Sequence, residues 1–461
     1  MIEPSKPITF LAPEDPLDAV VAILSHQKGR NHYIYEREET WYIGLDSYAS
    51  LIVSSDGEQL IRYFQGEGEK VIPVHEPLPV LARDFISEYS SHGNIFGHVG
   101  FNYSAHVFGR GYVPGRWPLL SLMVPCAQVA VSRDGITVSG CVEEEVRSLC
   151  KFLKVYLSYS HEVQTTTPTC HSQMVIDLRV NESEYKARVS TAISEIRNGH
   201  YAKVVPSRIV NLPGRVDMLA TLQQGRRSNT PARTFSFSHM GIQATGFSPE
   251  LIISITGRDV CTEAVAGTRL RDNTTGFNGA PSALLSDPKE VMEHVSAIRG
   301  SMKRLARVCC SRTIVVSDFL SVVDRGNVQH LCSHVSGRLS PDKDGWDALP
   351  GLAVAVPGDA GQGVFQEEDM QEFEPVPREL YCGAVVMIDP SADFFEATLA
   401  LRSVFQDGKR QWLQAGAGIS AISDPDREFV ETCEKLASIA PYVVPELSLC
   451  REVRERERHE K

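Results

Sequence analysis

Two short segments of the chain echo each other. SDPKEVMEH supplies Asp287, Pro288, Glu290 and Glu293, and SDPDREFVE supplies Asp424, Pro425, Glu428 and Glu431. Asp followed by Pro suits a helix cap and first turn, because the Asp oxygen accepts orphan backbone amides and Pro lacks an amide that would go unpaired there. Each Glu pair then falls in the first two turns, at i and i+3 on one face, where the helix dipole makes anions easier to hold. Converging carboxylates would repel one another without a cation. An all-oxygen set free of His and Cys suits Mg²⁺, which keeps several waters and takes only one or two protein carboxylates directly. Taken alone, both pairs are better explained as solvated helix starts, where Glu is common.

Other residues could do chemistry but have plainer explanations by themselves. Lys203 sits in YAKVVPSR, where a lysine in an apolar run ordinarily reaches its amine to solvent. Glu250, in GFSPEL, could simply open a strand after a Ser-Pro turn. His330, in NVQHL, has the usual reading of a structural hydrogen-bonder. Arg402 could be a strand-end salt bridge, and the glycine of AGTR, Gly267, could serve only its turn.

The elements that must position these residues alternate between sheet and helix. Residues 1–158 carry β-rich runs such as WYIGLDSYASLIVS and AQVAVSRDGITVSG, with VEEEVRSLCKFLKVYL as the one firm helix. Residues 159–173, YSHEVQTTTPTCHSQ in part, lose periodicity and read as an exposed connection. From 174 to 446 the pattern is richer. Tyr185, Val189, Ala192, Ile193 and Ile196 share one helical face, with Asn181 as cap and Gly199 as stop. Strands follow at HYAKVVPSRIVNL, TFSFSH, GIQATGF, ELIISITG and VCTEAVAG. The next long helix places Val291, Val295, Ile298, Met302 and Leu305 at helical spacing. YCGAVVMID, FFEATLALRSVF and RQWLQAGAGIS read as adjacent strands before the closing helix, and 447–461 as a charged, solvated tail.

Composition narrows the partners. A net charge of −12 argues against non-specific nucleic-acid binding, which needs basic surface. Eleven cysteines without a CxxC pair read as reduced thiols of a cytoplasmic protein. No stretch approaches the roughly 20 apolar residues that cross a bilayer, so no membrane partner is expected.

Ten stretches in fixed order resemble the chorismate-utilising enzymes, the family of anthranilate, aminodeoxychorismate, isochorismate and salicylate synthases: YAKVVPSR, RRSNTPARTF, GFSPEL, AGTR, KEVMEH, RGNVQHL, ELYCGAVVMID, LALR, WLQAGAGI and REFVETCEKL. The similarity spans about residues 182–445 and is strongest to the salicylate synthases. It implies one large α+β fold, two facing β-sheets with helices outside and a cleft between the halves, in a chain expected to be a monomer. It also implies Mg²⁺ as cofactor and chorismate as substrate, converted through isochorismate to salicylate and pyruvate, for a siderophore or another salicylate-derived metabolite. By motif match Glu293 and Glu431 hold the metal, supported by Glu290 and Glu428. Lys203 matches the base, which makes water the nucleophile, and Glu250 the general acid, which needs burial to stay protonated. His330 matches a histidine near the ring carboxylate. Gly267, Thr268, Tyr381, Arg402, Gly416 and Lys435 match positions that contact the substrate.

One wall departs from the family pattern. Where that pattern has Thr, Ser-Gly and Pro-Lys, this chain reads VAVPGDAGQGVF, with Pro357, Asp359, Gln362 and Gly363 at those places. A lost hydroxyl and an added acid beside an anionic ligand make one rival credible, an isochorismate synthase that stops halfway; a second rival, of another class, is a silent chorismate-binding paralogue. Retention of both Lys203 and Glu250 weighs against the second.

Overall fold

Two long strands, Thr40–Val53 and Leu120–Val131, form a ribbon paired antiparallel from Trp41 opposite Val131 to Val53 opposite Leu120, with a register shift between Ser47 and Ala49. The ribbon serves two sheets. Its one half pairs with His32–Arg37 and Ile136–Gly140, and its other half with Gln59–Phe64 and Ile95–Val99. From His32–Arg37 the first wing continues through Arg233–His239, Ile242–Ser248, Ser403–Gln406, Gln411–Gly416 and Ser207–Asn211. From Ile95–Val99 the second wing continues through Ala384–Asp389, Phe394–Leu399, Leu251–Thr256, Asp259–Leu270, Val328–Arg338 and Val315–Arg325. The computed structural model describes residues 6–160, 173–201, 203–270, 284–326, 328–353, 373–374 and 376–446, without the side chains at 159, 160, 268–270 and 289. Most of the expected connection, the altered wall from Pro357 to Gly363, the tail 447–461 and the side chain of Thr268 therefore lie outside the described residues.

The wings face each other across a layer of large side chains. Tyr33, Phe237 and Trp412 from the first meet Phe96, Met387 and Phe394 from the second in one cluster. Helices cover the outer faces. Leu78–Glu88, Pro288–Leu305 and Gly345–Leu352 pack on the second wing, and Pro16–His26, Glu143–Ser160 and Met218–Ser228 on the first. The architecture is α+β, two facing sheets with helices outside, as expected. Because Arg233–His239 pairs with His32–Arg37 and Ala384–Asp389 with Ile95–Val99, the two parts of the chain share both sheets.

The apolar face of Glu182–Arg197 is Tyr185, Val189, Ala192, Ile193 and Ile196, the set expected from spacing. Four details differ from expectation. Asn181 holds the cap position with φ 59° but its side chain makes no capping hydrogen bond. On Pro288–Leu305 the buried stripe runs through His294, Ile298, Ser301 and Leu305, while Met302 is exposed; polar His294 is accommodated by its Nε2 meeting Ser333 Oγ at 2.8 Å, and Ser301 Oγ accepts from Arg304 at 3.2 Å. The helix Pro16–His26, capped by Asp15, was not anticipated, since its run of Ala, Val, Ile and Leu lacks a telling period; nor was Leu78–Glu88. Finally, FFEATLALRSVF is two strands. Phe394–Leu399 belongs to the second wing and Ser403–Gln406 to the first, and the chain turns between them at Arg402, whose φ is 49°.

Trp412 is fully buried between the wings, its ring 5.5 Å from Phe405 and 5.4 Å from Trp117. Removing it leaves a cavity that rigid sheets cannot close. Trp412→Ala is expected to cost about 3–5 kcal/mol, read as a lower urea midpoint with an unchanged denaturant slope.

Candidate active site

Besides the shared ribbon, two crossings between the wings among the described residues lie side by side. One crossing is Ser248-Pro249-Glu250 and the other Ala400-Leu401-Arg402. They are tied by backbone bonds from the Leu399 amide to the Glu250 carbonyl at 3.2 Å and from the Phe247 amide to the Arg402 carbonyl at 3.1 Å. Glu250 and Arg402 are thus held at one corner. Burial pushes the Glu250 carboxyl up to about 8, with the charge of Glu263 adding to the rise, while Arg304 and the Val265 amide oppose it. It is a carboxylic acid that keeps its proton near neutral pH, as proton donation requires.

Arg402 donates to the Arg325 carbonyl at 3.1 Å and to His330 Nε2. Burial and the neighbouring Arg325 lower the guanidinium to about 10, and no carboxylate among the described residues forms an ion pair with Arg402. A buried guanidinium in that setting suits a ligand carboxylate. Because guanidinium only donates, His330 Nε2 must be the acceptor and Nδ1 carries the proton, which it gives to the Gly267 carbonyl. Burial, then Arg402, keep His330 neutral, well below its ordinary range.

Gly267 sits in the register shift between Ala266, opposite Leu331, and Thr268, opposite His330, with φ 80°, a conformation that disfavours side chains. A Cβ there would meet the Glu290 carbonyl at 3.3 Å, so this bulge is the seat of the first acidic helix. Glu290 is buried and Glu293 half-buried. On the second acidic helix, Pro425–Ala437, Asp424 caps the Asp426 and Arg427 amides and Pro425 follows, as its residues lead one to expect. Glu428 is buried at 2% exposure, and Glu431 is half-exposed and paired with Lys435 at 2.8 Å. Lys435 also donates to the Gly416 carbonyl at 2.9 Å, and its charge reaches His330. Buried Arg208 anchors this helix: its guanidinium bonds Thr432 Oγ1 at 2.7 Å and the Leu178 carbonyl at 2.7 Å and lies 4.6 Å over Phe429.

Gly267 thus seats the first acidic helix and accepts from His330, whose ring feels the charge of Lys435 in the last turn of the second. Each acidic helix carries one buried and one half-buried carboxylate, oxygen donors of the kind a hard divalent cation takes.

Lys203 lies beside Gly418, where a Cβ would come within 2.7 Å of its Cε and 3.1 Å of Nζ, so the second glycine of AGAGIS makes room for the lysine stem. Its neighbour Val204 bridges to Ile419. Tyr381 is buried in the layer between the wings, and burial holds its hydroxyl protonated. Gly416 packs tightly on Pro206, whose carbonyl would lie 2.8 Å from any Cβ placed on that glycine, so the strands Gln411–Gly416 and Ser207–Asn211 approach closely there. Sequence reasoning passed over Arg325, Arg304 and Glu263, all of which act on Glu250 or Arg402. Glu263, two residues before Val265 on the alternating strand VCTEAVAG, had a findable signal, since both must face the same side.

Residues 30–441 match the family described as chorismate binding enzyme. The salicylate synthase of Mycolicibacterium paratuberculosis is 33% identical over 447 residues, covering 96% of each chain. Anthranilate synthase component 1 of Spirochaeta aurantia is 32% identical over 260 residues, covering 56% of this chain and 54% of its own. Among solved structures, the menaquinone-specific isochorismate synthase of Escherichia coli superposes with a TM-score of 0.69 at 19% identity, over 95% of this chain and 94% of that one. The chain belongs to the chorismate binding enzymes.

The raised Glu250 has a consequence for stability. Between its usual 4.5 and the folded value of about 8 the folded protein holds a proton that the unfolded chain releases, so stability falls as pH rises through that window. Glu250→Gln removes the loss. Its urea midpoint is expected to exceed that of the parent above pH 8 and to match it below pH 4.5.

Proposed function

We propose that the protein is a Mg²⁺-dependent salicylate synthase, converting chorismate through isochorismate to salicylate and pyruvate. The observation that carries the reading is Glu250, an acid poised at about 8 and locked beside the buried Arg402. The 33% identity to a salicylate synthase over 96% of both chains adds to it. In this reading the protein works in the cytoplasm as a monomer and supplies salicylate for a siderophore or a related metabolite.

The first step adds water at ring C2 and expels the C4 hydroxyl. Lys203 takes a proton from the attacking water, and Glu250 gives its proton to the departing hydroxyl, which leaves as water. Arg402 clamps a substrate carboxylate, and neutral His330, held by Gly267, steadies the guanidinium. Glu290, Glu293, Glu428 and Glu431 would hold Mg²⁺, which supplies positive charge for a substrate carboxylate. Tyr381 walls the pocket, and Lys435 braces Glu431 against the Gly416 carbonyl. The second step expels pyruvate by a concerted hydrogen transfer within bound isochorismate, which asks the protein only to hold a reactive conformer.

A second reading, an isochorismate synthase lacking the second step, is favoured by the substituted segment from Pro357 to Gly363. Chromatography after incubation with chorismate and Mg²⁺ separates the readings. Salicylate with equal pyruvate is expected; isochorismate accumulating without pyruvate would move the assignment to the second reading, and bound but unchanged chorismate would overturn both. Lys203→Ala is expected to cut turnover by about 100-fold or more with ligand binding retained, measured by calorimetry. Chelation by EDTA, or Glu431→Gln, is expected to abolish turnover, and only the chelated parent should recover fully on adding Mg²⁺.

A further inference from the structure

Next to Glu250 the strands Asp259–Leu270 and Val328–Arg338 carry charged groups that the proposed reaction does not touch. Glu263 and His334 are directly opposite in register, and Cys332, two residues along, shares their face. One Glu263 carboxylate oxygen accepts from the amide of Leu251, the residue after Glu250, at 2.8 Å. The other lies 3.5 Å from His334 Nε2 and 3.9 Å from the Arg325 guanidinium. His334 Nδ1 is in turn 3.0 Å from Asp318.

The hydrogen bond to Glu263 raises His334 above its ordinary range, with Asp318 adding to the effect, so the ring favours its charged form. Burial disfavours an ionised Glu263, yet His334, the Leu251 amide and Arg325 outweigh it and hold the carboxyl below its usual range. Glu263, Cys332 and His334 have donor atoms within 4.8 Å of one another, but the imidazolium and the guanidinium already supply positive charge there, and burial keeps Cys332 a thiol. What remains is a fixed negative charge facing the acid.

We propose that Glu263 is a positioning residue for Glu250: by gripping the Leu251 amide and keeping an ionised carboxylate against the acid, it fixes Glu250 in place and sets how readily it parts with its proton. The proposal rests on the reading of Glu250 as proton donor. It deepens that reading by adding a group that touches neither substrate nor metal. The charged and titratable groups facing the pair are Arg304 from the helix Pro288–Leu305, Arg325 from the end of Val315–Arg325, Arg233 from Arg233–His239, and Cys261, Cys332 and His334 from the two strands. Arg304 pulls Glu250 toward ionisation and Glu263 pushes it back.

Glu263→Gln tests this, because the amide keeps an acceptor for Leu251 and removes only the charge. Glu250 works while protonated, and losing a neighbouring anion makes its proton leave more easily. The alkaline limb of the turnover profile is therefore expected to move to lower pH by on the order of one unit. His334→Gln removes a cation and leaves the Glu263 carboxylate, so its limb should move to higher pH. Opposite shifts would not follow from a merely loosened fold. A second readout needs no turnover: the infrared band of a protonated carboxyl that persists near neutral pH, identified by its absence in Glu250→Gln, should titrate at lower pH in Glu263→Gln. A parent protein inactive on chorismate would sink the proposed function while the infrared titration still decides the role of Glu263. Unmoved limbs and an unmoved infrared titration, or equal shifts in both variants, would overturn the proposal.

Discussion

The site depends on one constraint: two chain crossings between facing sheets must lie side by side and be hydrogen-bonded to each other. Each wing is paired strand to strand, so a chain that leaves one wing for the other needs a corner, and a corner exposes backbone groups that require partners. Here each crossing satisfies the other, through the Glu250 carbonyl and the Arg402 carbonyl. The bonds leave little freedom at either residue. Arg402 also adopts φ 49°, a strained backbone for a side chain of that size, and the sheets on both sides overdetermine it. An acid and a guanidinium are thereby fixed by the same ladders that hold the core, which makes the site as rigid as the sheets.

That rigidity has an electrostatic cost. Arg402 is desolvated beside a second guanidinium, Arg325, and among the described residues its donors go to a neutral imidazole and a carbonyl. Lys435 adds positive charge from the second acidic helix. A dicarboxylate entering this corner would replace an unfavourable cation-cation contact with charge-assisted hydrogen bonds, so part of its binding energy is prepared in advance. At the same corner, the charge of Glu263 favours a proton on Glu250. On the proposed reading the corner sets cations beside a retained proton, the former for the substrate's anionic groups and the latter for the departing hydroxyl.

How much of this was legible in the sequence differs by kind of residue. Elements with a clean period could be read, as Tyr185 to Ile196 show, because one covered face imposes its spacing on the residues. The Asp-Pro helix start at Asp424 could be read because capping is local chemistry. Register shifts and corners could not. FFEATLALRSVF is a continuous apolar run because both of its halves are buried, so nothing in its pattern marks where one sheet ends and the other begins. The stripe on Pro288–Leu305 was misplaced because His294 and Ser301 take inward positions that a hydrophobic pattern assigns to apolar residues. Motif matches nominated Glu250 and Arg402, but only the fold shows that they share a corner. Glu263 was passed over because its partner His334 is 71 positions away in sequence and adjacent only through strand pairing.

The same geometry separates residues that bear the fold from residues that can choose the chemistry. The backbones at Glu250, Arg402 and Gly267 are locked in ladders, a bulge and a helix seat, so the sheets fix where these residues stand. Lys203 is different. It precedes the strand Ser207–Asn211, on backbone secured next to it by a bridge between Val204 and Ile419, and its stem fills space left by Gly418. A different side chain there would leave the wings, the corner and the acidic helices as they are. On the proposed reading the residue at that position decides which nucleophile is activated, so the scaffold can keep its acid, its carboxylate clamp and its cation-holding helices while the attacking group changes. A fold built this way accommodates relatives with different products on one framework, and on that reading the lysine commits this chain to water.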